Sequence, residues 1–190
     1  MLKYFICLLF LLSGSVTRSQ GISKISLSEF SIKKSTRAVK ISKILDVRDD
    51  KNIIGIFRTG SQSGTDSTSF RLPGLQEVEE LIKRSGLMLR KGGFLLRIRK
   101  LSISEITDTS TRFKAEIYAD WFYQKSKRYY YAGGGTSSLE TYKPKKETQS
   151  HAENIVHVIE GVLVPFFEPT IRLERAFTRK ELMNPELKVR

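Results

Sequence analysis

Apolar and polar residues alternate most regularly over 113–123. Phe113, Ala115, Ile117, Ala119, Trp121 and Tyr123 fall on one side, and Lys114, Glu116, Tyr118, Asp120 and Phe122 on the other. A period of two held over this span predicts a strand and excludes a helix. Upstream, Phe94, Leu96 and Ile98 share one parity, whereas Leu101 and Ile103 have the opposite one. The switch predicts a strand over 94–105 with a β-bulge near Arg99-Lys100. Gln124 to Lys127 reads as a turn, and Arg128 to Ala132 returns as the third strand of a meander. Strands are also expected over 38–47 and 53–57. Ile22, Ile25, Leu27, Phe30 and Ile32 mark an extended segment or arm.

Two stretches change period. Leu75, Val78, Leu81 and Ile82 recur at three- and four-residue spacings, which predicts a helix after Pro73-Gly74. Acidic residues load its start and Lys83-Arg84 its end, as the helix dipole favours, and Gly86 is placed to cap it. Ala152, Ile155, Val158, Ile159 and Val162 predict a second helix over 150–163, stopped by Pro165. Residues 58–69, rich in Gly, Ser and Thr, read as a loop, as do 107–111 and 143–149. Gly133-Gly134-Gly135 reads as a flexible break after the third strand. A short helix near Leu173 to Met183 completes the pass.

The expected fold is therefore α+β, with two amphipathic helices on one face of a mainly antiparallel sheet in the order β-β-α-β-β-β-α. Ala115 and Ala119 leave room for a helix to approach. The expected organisation is a leader over 1–19, an N-terminal arm over 20–37, the sandwich domain over 38–165 and a basic C-terminal tail over 166–190.

The leader follows from Lys3, the apolar run from Tyr4 to Leu12, and the small polar residues that follow. The run is too short to span a bilayer but suits the apolar region of a signal peptide. Cleavage after Ser19 would leave Gln20 first, and the runner-up is cleavage after Ser15. An exported chain, periplasmic or extracellular, is the expectation. Cys7, the single cysteine, would leave with the leader, so the mature chain could form no disulfide. No later run is long and apolar enough to span a membrane. The net charge of +13 falls by two when Lys3 and Arg18 are removed. The remaining excess favours anionic partners such as a glycan, a lipid headgroup or nucleic acid, or serves solubility.

Residues Ile44 to Asp49, with Asp46-Val47-Arg48 at their centre, precede Ile54-Gly55, the helix at 75–85, the meander at 94–131 and the final helix. In this combination the chain resembles small bacterial envelope proteins, the YajG-type and ABC-transporter auxiliary lipoproteins. The resemblance covers about 40–164. It implies a β-α-β-β-β-α layout and a non-enzymatic accessory role in the envelope. The chain departs from the family in lacking a lipobox cysteine and in adding a basic tail, and no family binding residue transfers to it.

Catalytic patterns fail on inspection. Gly60 and Gly64 frame Gln62 where a nucleophile elbow needs serine. Counted from Asp46, the third and sixth positions of a calcium loop are Arg48 and Lys51. His151 and His157 lie about 120° apart around a helix, so they are expected to be ordinary surface histidines. Glu116 and Asp120 share a strand face, where cross-strand pairing with Lys or Arg is the expected use. No catalytic residue, metal site or cofactor is assigned. One surface stands out: the sheet face away from the helices should carry Arg97, Arg99, Lys114, Tyr118, Phe122, Tyr129 and Tyr131. Aromatic area and forked guanidinium donors suit an anionic polymer or sugar, unless the arm, the tail or a second copy covers them. Two readings follow. One is an exported accessory or interaction protein, working with an envelope partner or by self-association. The other is a basic module for an anionic ligand or membrane surface.

Overall fold

The computed structural model describes residues 22–32, 40–58, 65–88, 93–107, 111–142, 147–163 and 175–189. The expected leader over 1–19, the parts of the expected loops at 59–64, 108–110 and 143–146, and the expected helix stop at Pro165 lie outside the described residues. The elements are β1 (Ile22–Ile25), β2 (Ile41–Asp46), β3 (Gly55–Arg58), β4 (Thr65–Phe70), α1 (Gln76–Arg84), β5 (Phe94–Thr107), β6 (Thr111–Lys125), β7 (Arg128–Tyr142), α2 (Glu147–Leu163), β8 (Ala176–Phe177) and α3 (Arg179–Leu182).

All eight strands join one curled mixed sheet in the order β1-β4-β3-β5-β6-β7-β8, and β2 lies alongside the first half of β5. β5, β6 and β7 form the expected antiparallel meander, while β1–β4, β2–β5 and β3–β5 are parallel pairs. The bulge falls where the parity switch put it. Ile98 pairs with Ala119 and Lys100 with Tyr118, so Arg99 is the inserted residue. The bulge keeps Leu96, Ile98, Leu101 and Ile103 on one face despite their opposite parity in sequence. Ser126 and Lys127, both with positive φ, make the tight β6–β7 turn.

The inner face holds the main core. Trp121, Ala115, Ala119 and Ile117 pack with Val78, Leu81 and Ile82 of α1 and with Ile155, Val158, Ile159 and Val162 of α2. Gly86, at φ +69°, closes α1 as expected: its N–H reaches the Lys83 carbonyl, and the Leu87 N–H reaches that of Ile82. Around α1 the chain also pins residues 26–32. The buried Glu77 carboxylate accepts the Leu27 N–H at 3.0 Å, Arg84 donates to the Leu27 carbonyl at 2.6 Å, and Ser85 Oγ accepts the Ile32 N–H at 2.8 Å.

Three expectations are corrected. The second half of the 58–69 loop is strand β4. Its small polar residues fit because β1 and β3 flank it on both sides, so its backbone groups are paired and Thr68 and Ser69 are buried. The glycine triplet does not break the third strand, for β7 runs through it to Tyr142. At Gly133 the ladder shifts register opposite Trp121-Phe122, with φ +147°, and a side chain at Gly134 would crowd the Tyr131 hydroxyl and the Asp120 carboxylate. Finally, His151 is not a surface residue. It is fully buried, with its ring edge-on to Phe113 at 4.8 Å, while His157 is exposed.

Gly55 shows why the Ile-Gly pair is where it is. β3 approaches β5 so closely that a Cβ at Gly55 would overlap the Ile103 carbonyl. Gly55→Ala is expected to cost about 1–3 kcal/mol through overpacking. Gly135→Ala, whose added methyl meets only Val162 at 4.0 Å, should be near neutral. Thermal unfolding of the two variants checks the contrast.

Candidate functional site

All seven residues expected on the outer face are there, but the face is divided. Arg97, Phe122, Tyr129 and Tyr131 lie on its lower half, toward the β6–β7 turn. There the C-terminal segment covers them. Phe122, Tyr129, Leu45, Val47 and Leu95 form a second core with Phe177 and Leu182, against which Tyr131, Leu187 and Val189 pack. Phe122 stands edge-on to Phe177 at 5.7 Å and to Tyr131 at 5.8 Å. Of the alternatives the sequence left open, cover by the tail holds for Arg97, Phe122 and Tyr129, which are not available to a ligand: the tail's apolar residues bury a face whose aromatics would otherwise meet water.

Arg97 is the anchor of that cover. Its guanidinium is 0% exposed. Nε donates to the Leu182 carbonyl at 2.9 Å, Nη1 to Asp120 Oδ2 at 2.6 Å, and Nη2 to the carbonyls of Asn184 and Pro185. Arg99, partly exposed, reaches the same Asp120 oxygen at 3.1 Å. Burial pushes the Asp120 carboxyl above its ordinary value, against the downward pull of Arg99 and Arg97. A forked, always-charged donor suits this position, because it satisfies one carboxylate and three turning carbonyls at once.

The upper half is open. Lys100, Arg112, Lys114, Glu116 and Tyr118 from β5 and β6 meet Thr136, Ser138, Glu140 and Tyr142 of β7. Glu116 binds both Lys100 and Lys114, which hold its carboxyl below the usual range, and Lys114 is raised in turn. Arg112 pairs with Glu140 at 3.0 Å, and Lys100 lies 5.1 Å from the Tyr118 ring centre. Of the expected residues, Arg99, Lys114 and Tyr118 are thus reachable from solvent, and the two carboxylates are in the cross-strand pairs the sequence suggested. Tyr142, 60% exposed, belongs to this surface and was missed, because the strand was expected to end before it.

The Asp46-Val47-Arg48 motif has a structural use. Arg48 forks onto Asp46 through Nε at 2.9 Å and Nη2 at 2.8 Å, and donates to the Lys51 carbonyl. Asp50 accepts the N–H groups of Ile53 and Asn52, which hold its carboxyl low.

No family model and no curated protein matches this sequence. Among solved structures the chain is similar to protein XCC0632 from Xanthomonas campestris, described by the family model DUF330. The two are 10% identical over 76% of this chain and 90% of that one, with a TM-score of 0.46. This is a distant structural neighbour from a bacterium. A shallow pocket of about 240 Å³ lies elsewhere, between β1 and the turn at 71–74. Its two cations are committed, Lys24 to Ser69 and Arg71 to Glu77. No helix among the described residues is long and apolar enough to cross a membrane.

Proposed function

We propose that the chain is an exported accessory or interaction protein of the cell envelope, non-enzymatic, that docks another protein surface on the open half of its outer sheet face. The observation that carries this reading is that the cations of that half are already held in ion pairs. Lys100, Arg112 and Lys114 are each paired with Glu116 or Glu140, while Tyr118 and Tyr142 stand exposed. Paired β-strands with exposed tyrosines and internally paired charges suit a protein partner. A polyanion would instead need uncompensated cations on the face. The leader and the resemblance of the layout to envelope accessory proteins support the address. The partner is a second envelope protein or a second copy of this chain.

The test is photo-crosslinking in cells from a probe at position 142, with light scattering on the mature protein. The expected result is a discrete crosslinked species. Tyr118→Ala with Tyr142→Ala should weaken the association at least about tenfold, the effect of losing aromatic anchors, with no change in melting temperature. A strictly monomeric protein without crosslinks counts against the proposal. Salt-sensitive polyanion binding abolished by Arg99→Ala would favour the anionic-ligand reading of this face instead.

A further inference from the structure

A second group of exposed cations lies away from the open face. The hairpin turn between β6 and β7 carries Lys125, Lys127 and Arg128, all exposed. β8 pairs with β7 directly beside this turn, through Tyr129 with Phe177 and Tyr130 with Ala176. That pairing brings Arg175, Arg179 and Lys180, also exposed, to the same end of the sheet from about fifty residues away in sequence. Over 121–132 and 175–182 the charged side chains are these six cations and Glu181. Glu181 is already committed to the capping box of α3, accepting from the Thr178 N–H at 2.7 Å and hydroxyl at 2.8 Å. The Thr178 hydrogen bonds hold its carboxyl low, and Arg175 and Arg128 add a smaller pull in the same direction.

We propose that this basic pole seats the protein on an anionic membrane surface, at residues distinct from the open sheet face. Shape decides between anionic partners. The exposed cations are confined to a hairpin turn and the short segment paired beside it. They do not continue as a free basic track along the open face, where the cations are ion-paired; a nucleic-acid backbone is bound along such a track. Of the aromatic rings beside them, Tyr129, Phe122 and Phe177 are buried, and Tyr123 and Tyr130 are only partly exposed, so no ring stands clear as a stacking platform for bases. A plane of headgroup phosphates needs neither, and each long cationic side chain that reaches it adds attraction that salt screens. The turn also fixes the geometry: positive φ at Ser126 and Lys127 makes a tight hairpin that points its charges outward.

The test uses the mature chain and vesicles of neutral phosphatidylcholine with or without about one third phosphatidylglycerol, a composition whose negative surface potential draws in basic residues. Sedimentation should show binding to the anionic vesicles alone, falling steeply as salt rises. The triple variant Lys125→Gln, Arg179→Gln, Lys180→Gln should lose at least about tenfold in vesicle affinity. The control Lys24→Gln, Lys51→Gln, Lys83→Gln removes the same charge from the other side of the fold and should bind like the parent. Unfolding midpoints of the two variants show that both remain folded. Equal losses in both variants, or no preference for anionic vesicles, overturn the proposal. Tighter binding to single-stranded DNA than to anionic vesicles, lost in the pole variant, overturns it in favour of a nucleic-acid site. Because Tyr118 and Tyr142 are untouched, crosslinking from position 142 can fail or succeed independently.

Discussion

Arg97→Ala is expected to release the C-terminal segment and to destabilise the fold by about 3–5 kcal/mol, the cost of breaking a buried ion pair by removing one partner. The loss has two parts. Asp120 stays buried with Arg99 as its remaining cation, and the carbonyls of Leu182 and Asn184 lose a donor in the middle of the second core. Arg97→Lys keeps the charge but cannot fork to four oxygens, so it should fall between the parent and the alanine variant. Asp120→Asn combined with Arg97→Ala should cost less than the two single changes together, because no buried charge is left unpaired: Arg99, which loses its partner, is partly exposed. Urea unfolding measures the energies. Hydrogen exchange of the amides at 176–187 shows whether the segment has come away. A stable Arg97→Ala variant with an unchanged, protected C-terminal segment would contradict this picture.

His151 should make the protein acid-sensitive in a defined window. Burial lowers its pKa from 6.5 to about 4. Above pH 6.5 the ring is neutral in both folded and unfolded chains, and the native state loses nothing. Below it the unfolded chain takes up a proton that the buried ring refuses, so stability falls progressively until about pH 4. A shift of this size corresponds to about 3 kcal/mol. His151→Phe, which keeps a ring against Phe113, should flatten the slope of unfolding free energy between pH 6.5 and 4. His157→Gln, at an exposed site, should leave it unchanged. A parent protein whose stability is flat over that window would contradict the burial of His151.

The parity of 113–123 was enough to place Trp121 toward the helices and Phe122 away from them. The parity switch after Ile98 was enough to place the bulge. Both are local consequences of a period-two pattern under one buried face. β4 was hidden because Thr65 to Ser69 contribute almost no apolar pattern. They are held by backbone pairing to β3 just before them and to β1, more than forty residues upstream. Gly133 to Gly135 carry the composition of a turn, but their freedom serves a register shift and close packing within a strand. The division of the outer face was out of reach for another reason. The sequence offered a basic tail, and nothing local says that Phe177 and Leu182 pair with Phe122 and Tyr129. The basic pole was half legible: Lys125, Lys127 and Arg128 are adjacent, but Arg175, Arg179 and Lys180 join them only through the short β7–β8 pairing.

The account turns on the C-terminal segment covering the lower half of the outer face and leaving the upper half open. The expected mature chain, residues 20–190, contains no cysteine, so single thiols can be placed at will. Thiol labelling of Tyr129→Cys and Tyr118→Cys, each in the otherwise intact mature protein, reads the two halves directly. Labelling at position 118 should proceed at the rate of an exposed thiol. At position 129 it should be at least about a hundredfold slower, since it must await local opening, and it should become fast when the chain is cut back to residue 174. Equal, rapid labelling at both positions in the full-length mature chain would contradict the account.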